Sequence, residues 1–158
     1  MGQNFSKMFK INFLDEKKQP ALAWQTSWGL STRSLGVVIM VHGDDQGLVL
    51  PPKVAMIQVI IVPLFFKDTN KEELLGKADE ILKGLQKAGI RAKIDDRENY
   101  TPGWKFNHWE LKGVPLRLEL GPKELKNGEV KAVQRYDNAK YQLKLEGLTE
   151  QVNDFKSL

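Results

Sequence analysis

Apolar and polar positions change rhythm several times along the chain, and each rhythm predicts an element. Residues 54–63 (VAMIQVIIVP) form a nearly unbroken, β-branched apolar run, the pattern of a central parallel strand covered on both faces. Over 71–88 the residues Leu74, Leu75, Ala78, Ile81, Leu82 and Leu85 recur at spacings of one, three and four, which predicts an amphipathic helix. Asn70 stands three residues before Glu73 in the manner of a capping box, and Gly89 sits where a left-handed C-terminal residue is wanted. Residues 90–94 (IRAKI) alternate as a strand, 102–112 suits a short helix opened by a proline, and 115–120 alternates strictly again. A strand near 130–135 and a terminal amphipathic segment follow. The order β-α-β-α-β with a later strand predicts an α/β fold, a mixed β-sheet flanked by helices.

Upstream, 21–28 (ALAWQTSW) reads as a strand, and 30–41 follows as an apolar segment carrying one charge, Arg33. Strand then buried helix is the simplest reading. Pro51 and Pro52 cannot continue a helix and force an extended approach, so a domain boundary is expected near 50–53, dividing the chain into 1–52 and 53–158. The first piece is too short for a domain of its own.

Composition narrows the possibilities. A chain of 158 residues, 41% hydrophobic and 28% charged, holds one sizeable core or one compact domain with an appendage. The absence of Cys excludes a disulfide framework and a thiolate metal site, and two isolated histidines do not build one, so no metal is expected. No run approaches the roughly eighteen apolar residues of a membrane span, and the N-terminus lacks a signal-peptide layout. A soluble, cytoplasmic protein with no membrane partner is the expectation. The net charge of +4 is uneven: residues 101–135 carry seven Lys or Arg against four Glu, which is where an anionic partner would be sought.

Among candidate residues, Arg33 is open to two readings. It is a snorkelling or salt-bridged arginine, or one aimed at a polyphosphate from a helix start beside the Ser31 and Thr32 hydroxyls. His42-Gly43-Asp44-Asp45 reads as a polar turn, and Asp95-Asp96-Arg97 as local ion pairs. On the 102–112 helix, Trp104, His108 and Leu111 form one stripe, with Phe106 and Glu110 roughly opposite. If the first stripe faces the core, Phe106 and Glu110 face out, suited to stacking on a base and accepting from guanine's N1–H and N2–H₂; the alternative makes Trp109 and Phe106 the core face. On the next strand Leu116, Leu118 and Leu120 point one way and Arg117 and Glu119 the other, so Arg117 comes within reach of the same ligand as Glu110. His108 reads as a packed or capping histidine. No nucleophile with a base is visible, and no residue is assigned a catalytic role.

The run at 99–125, NYTPGWKFNHWELKGVPLRLELGPKEL, resembles the anticodon-binding domain of prolyl-tRNA synthetases of the archaeal and eukaryotic type. The stretches GQNFSKMF (2–9) and QTSWGLSTRSLGVVIMVHGDDQGLVLPP (25–52) resemble the end of that enzyme's class II catalytic domain. The resemblance implies that TSWGLSTR is the third conserved motif of the class, with Arg33 on the ATP γ-phosphate and Ser31 as a nucleotide contact in place of the usual Thr. It also implies that Phe106, Glu110, Arg117, Lys123 and Glu124 read the two guanines of the UGG anticodon, Glu124 standing where Asp is usual. The implied partners are tRNA(Pro), with ATP, Mg and proline, in a complete homodimeric enzyme. The first two class motifs, the proline pocket and the cysteine-bearing zinc extension have no match here, so the chain alone is expected to hold no cofactor and to be inactive. It is a fragment of a longer ligase or a short derived gene product. The competing function is a non-catalytic adaptor that keeps the fold for protein contacts.

Overall fold

A six-residue helix, α1 (Asn4–Phe9), ends at Lys10, whose left-handed backbone turns the chain into an antiparallel hairpin of β1 (Asn12–Leu14) and β2 (Pro20–Leu22). The Asp15 carboxylate accepts from the backbone N–H groups of Lys17 and Gln19, which closes the turn. Buried Ser6 donates its hydroxyl to the Ala23 carbonyl, and the Gln3 amide donates to that of Leu22 at 2.8 Å. This computed structural model describes residues 1–66 and 70–155. The chain groups into two units, Met1–Gly36 and Val37–Leu158.

Two expectations for the first stretch are corrected. Strand pairing stops at Leu22, with Gln25 retained only in an isolated bridge to Gly2. The apolar segment is helical, α2 (Arg33–His42), but none of its residues is buried, and Leu35 is 62% exposed. Apolar sequence predicts burial only where a partner surface exists, and Trp24 and Trp28 are likewise exposed.

In the second unit the chain supplies β3 (Val59–Pro63), α3 (Lys71–Lys87), β4 (Ala92–Ile94), α4 (Pro102–Leu111), β5 (Leu116–Leu120), α5 (Pro122–Asn127), β6 (Glu129–Gln134), β7 (Lys140–Lys144) and α6 (Leu148–Asp154). The five strands form one mixed sheet in the order β4-β3-β5-β6-β7, parallel across β4-β3-β5 and antiparallel beyond. Every residue of β3 is buried because both faces of the sheet are covered. On one face Val59, Ile61, Leu116, Leu118 and Leu120 pack with Leu74, Ala78, Ile81 and Leu85 of α3 and with Leu148 and Val152 of α6. On the other, Ile60 and Val62 meet Trp109 of α4 and Val114. The Asn70 side chain accepts from the Glu73 N–H, and Gly89 takes a positive φ, as the sequence pattern required. Among the described residues no helix is long and apolar enough to cross a membrane.

One buried carboxylate holds α4 to the sheet edge. Asp95, directly after β4, accepts from the Trp109 indole N–H at 2.7 Å and from the Arg97 guanidinium at 2.6 and 2.8 Å, while its carbonyl takes the buried Lys105 ammonium at 3.1 Å. Burial depresses the Lys105 pKa. At the other end of α4, Leu48 and Leu50 donate to the carbonyls of Leu111 and Gly113. The two backbones pass so closely that a side chain at Gly113 (φ +68°) would lie 2.7 Å from the Leu48 carbonyl oxygen, and one at Gly47 would meet Leu111 at 2.7 Å.

Two outcomes are expected. Burial pushes the Asp95 carboxyl up, but the hydrogen bonds from Arg97 and Trp109 outweigh it and hold the pKa at about 2, below the ordinary 3.8. With the folded value below the unfolded one, the stabilisation is complete above pH about 4 and is lost as pH falls through about 2. The melting temperature should fall across that window; Asp95→Asn should flatten the fall and cost on the order of 2 kcal/mol at neutral pH. An equally steep acid limb in the variant would assign it to other carboxylates. Gly113→Ala should cost about 1 to 3 kcal/mol from left-handed strain alone, with the clash adding to it, as read by denaturant unfolding.

Candidate functional site

The face that α4 presents follows from what it buries. Thr101 caps the helix by accepting from the Trp104 N–H, and Pro102 opens it. Lys105 and Trp109, one turn apart, are its buried residues, with Phe106 packed partly against the same cluster. The expectation that Trp104, His108 and Leu111 face the core is therefore corrected. Trp104 and Leu111 are exposed, and the inward stripe is centred on Trp109, as the alternative reading had it. A lysine takes the second inward position because its stem packs apolar surface while its ammonium finds Asp95.

Phe106 and Glu110 nevertheless meet Arg117. Strand register places Arg117 of β5 opposite Ile60 and Val133, and Glu119 opposite Val62 and Lys131, all on the sheet face that α4 covers. There the Arg117 guanidinium lies 4.2 Å from the Phe106 ring centroid and donates to Glu110 at 2.5 Å and to Glu119 at 3.0 Å. Lys131 closes the group at 3.3 Å from the second Glu119 oxygen. Arg117 is only 12% exposed and Glu110 24%, so the cluster is a half-buried, charge-balanced rim with one edge open to solvent. A cation over an aromatic ring between two carboxylates is a preorganised donor fork.

The remaining predicted residues lie elsewhere. Lys123 and Glu124 stand in the first turn of α5, past the far end of β5, about 13 Å of strand from Arg117. The Glu124 carboxylate folds back over Gly121, within 2.6 Å of where a β-carbon would stand. Ser31 precedes α2 and Arg33 begins it, both exposed.

Sequence reading missed the groups that brace this rim. Buried Arg135 forks onto Asp44 at 2.6 and 2.8 Å and donates through Nε to the Glu110 carbonyl at 3.0 Å. Arg135 holds the Asp44 carboxyl down at about 2. The partners are 91 residues apart, so no local pattern marks the pair. Glu119 was visible only as an alternating charge beside Arg117, and Lys131 was not singled out. Asp95 was read as a local ion pair with Arg97, which holds, but its Trp109 and Lys105 contacts were not foreseen.

Comparison with known proteins shows the family. The family model described as "Anticodon binding domain" matches residues 58–154. The cytoplasmic proline–tRNA ligase of Arabidopsis thaliana is 49% identical over 98% of this chain and 29% of its own length. The proline–tRNA ligase of Cenarchaeum symbiosum is 47% identical over 98% of this chain and 32% of its own. A crystal structure of prolyl-tRNA synthetase from Cryptosporidium parvum, complexed with L-proline and AMP, superposes with a TM-score of 0.87 at 51% identity, covering 99% of this chain and 34% of that one. The chain thus spans about a third of the length of each of these three proteins. With more than half of its residues under that model and a mixed sheet to match, the chain belongs to the anticodon-binding-domain family, and the relatives named here are proline–tRNA ligases.

Proposed function

We propose that this chain is the part of a proline–tRNA ligase that carries the anticodon-binding domain, residues 53–158, behind the last stretch of a class II catalytic domain, residues 1–52. The reading rests on one observation above all: Arg117 held between Glu110 and Glu119 over the Phe106 ring, at the solvent edge of a fold whose relatives are proline–tRNA ligases. Glu110 is suited to accept from N1–H and N2–H₂ of one guanine of a UGG anticodon, and Arg117 to donate in parallel to O6 and N7 of the other. On binding, the ion pair between them opens, each partner takes a base edge in exchange, and the uncovered Phe106 ring receives a base face. Lys123 and Glu124 extend the contact from α5. The partner is tRNA(Pro).

Ser31 and Arg33 are the ATP contacts in this reading. Their position at the N-terminal end of a ten-residue helix, with exposed side chains, supports it, as does the AMP in the solved relative. ATP is taken as a substrate that brings Mg in the complete enzyme. The complete protein would charge tRNA with proline as a cytoplasmic homodimer; the name of the Arabidopsis thaliana relative supports the compartment.

Arg117→Lys keeps the charge but loses the fork, so it should cost about 1 to 3 kcal/mol against tRNA with the proline anticodon and little against others. A gel-shift titration comparing UGG with another anticodon reads this directly. Equal weakening for all tRNAs would move Arg117 to the phosphate backbone, and no tRNA preference in the parent chain would favour the adaptor reading. In a full-length ligase, Arg33→Ala should lose on the order of 3 kcal/mol of transition-state stabilisation; an unchanged rate of proline-dependent pyrophosphate exchange would return Arg33 to a surface role.

A further inference from the structure

The stripe that sequence placed in the core lies on the outside of α4, and it is organised. The Tyr100 and Trp104 rings stack at 3.9 Å between centroids with their planes 17° apart, and Trp104 and His108 at 4.9 Å and 16°. Tyr100 and Trp104 are each 42% exposed and belong to neither hydrophobic cluster. Arg97, fixed by Asp95, sits 5.0 and 5.1 Å from the Tyr100 and Trp104 centroids. At the His108 end, Lys93 and Lys112 lie 6.0 and 5.0 Å from the Trp109 ring, both exposed. A depression there is lined by Lys93, Asp96, Arg97, His108 and Lys112. Desolvation, with the nearby Lys112 and Arg97, lowers the His108 pKa, so at neutral pH its ring is an uncharged stacking face.

We infer that the Tyr100–Trp104–His108 ladder is a second RNA contact, a stacking surface for an unpaired base next to the anticodon guanines, with Lys93 and Lys112 receiving its phosphate. Three features favour RNA over a protein partner. The rings are already parallel, and Tyr100 and Trp104 keep exposed surface, as base stacking needs. Cations stand at one end of the ladder, where Lys93 and Lys112 share a depression with His108. The ladder and the Phe106–Glu110 edge flank the same helix, separated on its outer side by exposed Asn107; a helix is about 10 Å across, a width that a single-stranded loop can straddle. The ladder would grip without reading sequence, because every base has a π-face.

The inference rests on the tRNA reading, and the two can fail separately. Fluorescence anisotropy of the 158-residue chain with a labelled UGG anticodon stem–loop, and with one of another anticodon, measures both. Trp104→Ala should weaken the two RNAs alike, roughly tenfold, leaving their ratio intact, whereas Trp104→Phe should stay within about twofold. An abasic nucleotide beside the guanines should cost the parent a similar factor and cost Trp104→Ala nothing further. Unchanged affinity of Trp104→Ala, with parental thermal unfolding, overturns the ladder alone when Arg117→Lys still shifts the ratio. Abasic and Trp104→Ala penalties that multiply also overturn it. No RNA binding by the parent chain overturns both readings. Should Trp104→Ala prove unstable, Lys112→Gln, on the exposed rim, must weaken both RNAs in parallel for the inference to stand.

Discussion

Everything functional on α4 depends on how that helix is pinned, and the pin is the buried Asp95 carboxylate. A charge out of water is tolerable only when its oxygens are fully engaged. The Trp109 indole and the Arg97 fork engage them here. Because Trp109 is also the apolar anchor against Ile60 and Val62, the hydrogen bond and the hydrophobic contact fix the same rotation of the helix. That rotation decides at once that Phe106 and Glu110 look toward Arg117 on one flank while Tyr100, Trp104 and His108 look outward on the other.

Much of the sheet was legible because its signals are local, though α5 and the edge strand β7 were not read from the sequence. The second half of the apolar run at 54–63, the i, i+3, i+4 pattern of α3 with its Asn70 cap, and the alternation of β5 each state their own burial, and the structure agrees. Val54 and Met56, however, lie ahead of β3 and are exposed, so the strand read over 54–63 is corrected to Val59–Pro63. The rotation of α4 was not legible, since Trp104, His108 and Leu111 make as convincing an apolar stripe as Trp109 does. What settles it is a polar contact to a residue fourteen positions away and a lysine that behaves as a core residue, neither of which periodicity registers. Burial of α2 failed for a related reason: hydrophobic sequence states a need for cover and does not supply it.

The candidate site was read in part. Alternation alone put Arg117 on the face opposite Leu116 and Leu118, and its meeting with Glu110 and Phe106 followed. The brace behind it did not. Arg135 reaches both Asp44 and the Glu110 carbonyl, so the last turn of α4 is tied to the loop after α2, and the passage of residues 47–50 against 111–113 at two glycines makes that tie a close backbone crossing. Long-range pairs of this kind leave no spacing in the sequence.

The balance of charge around Arg117 carries one more consequence. Arg117 and Lys131 are matched by Glu110 and Glu119, so at a distance the cluster presents almost no field. Long-range attraction of a polyanion must come from unmatched cations elsewhere on the domain, and ionic strength screens that attraction. Exchange of hydrogen-bond partners inside the half-buried cluster is screened far less. Under the proposed tRNA reading, capture and choice are thereby placed on different footings: rising salt would slow encounter while leaving discrimination between bases nearly untouched.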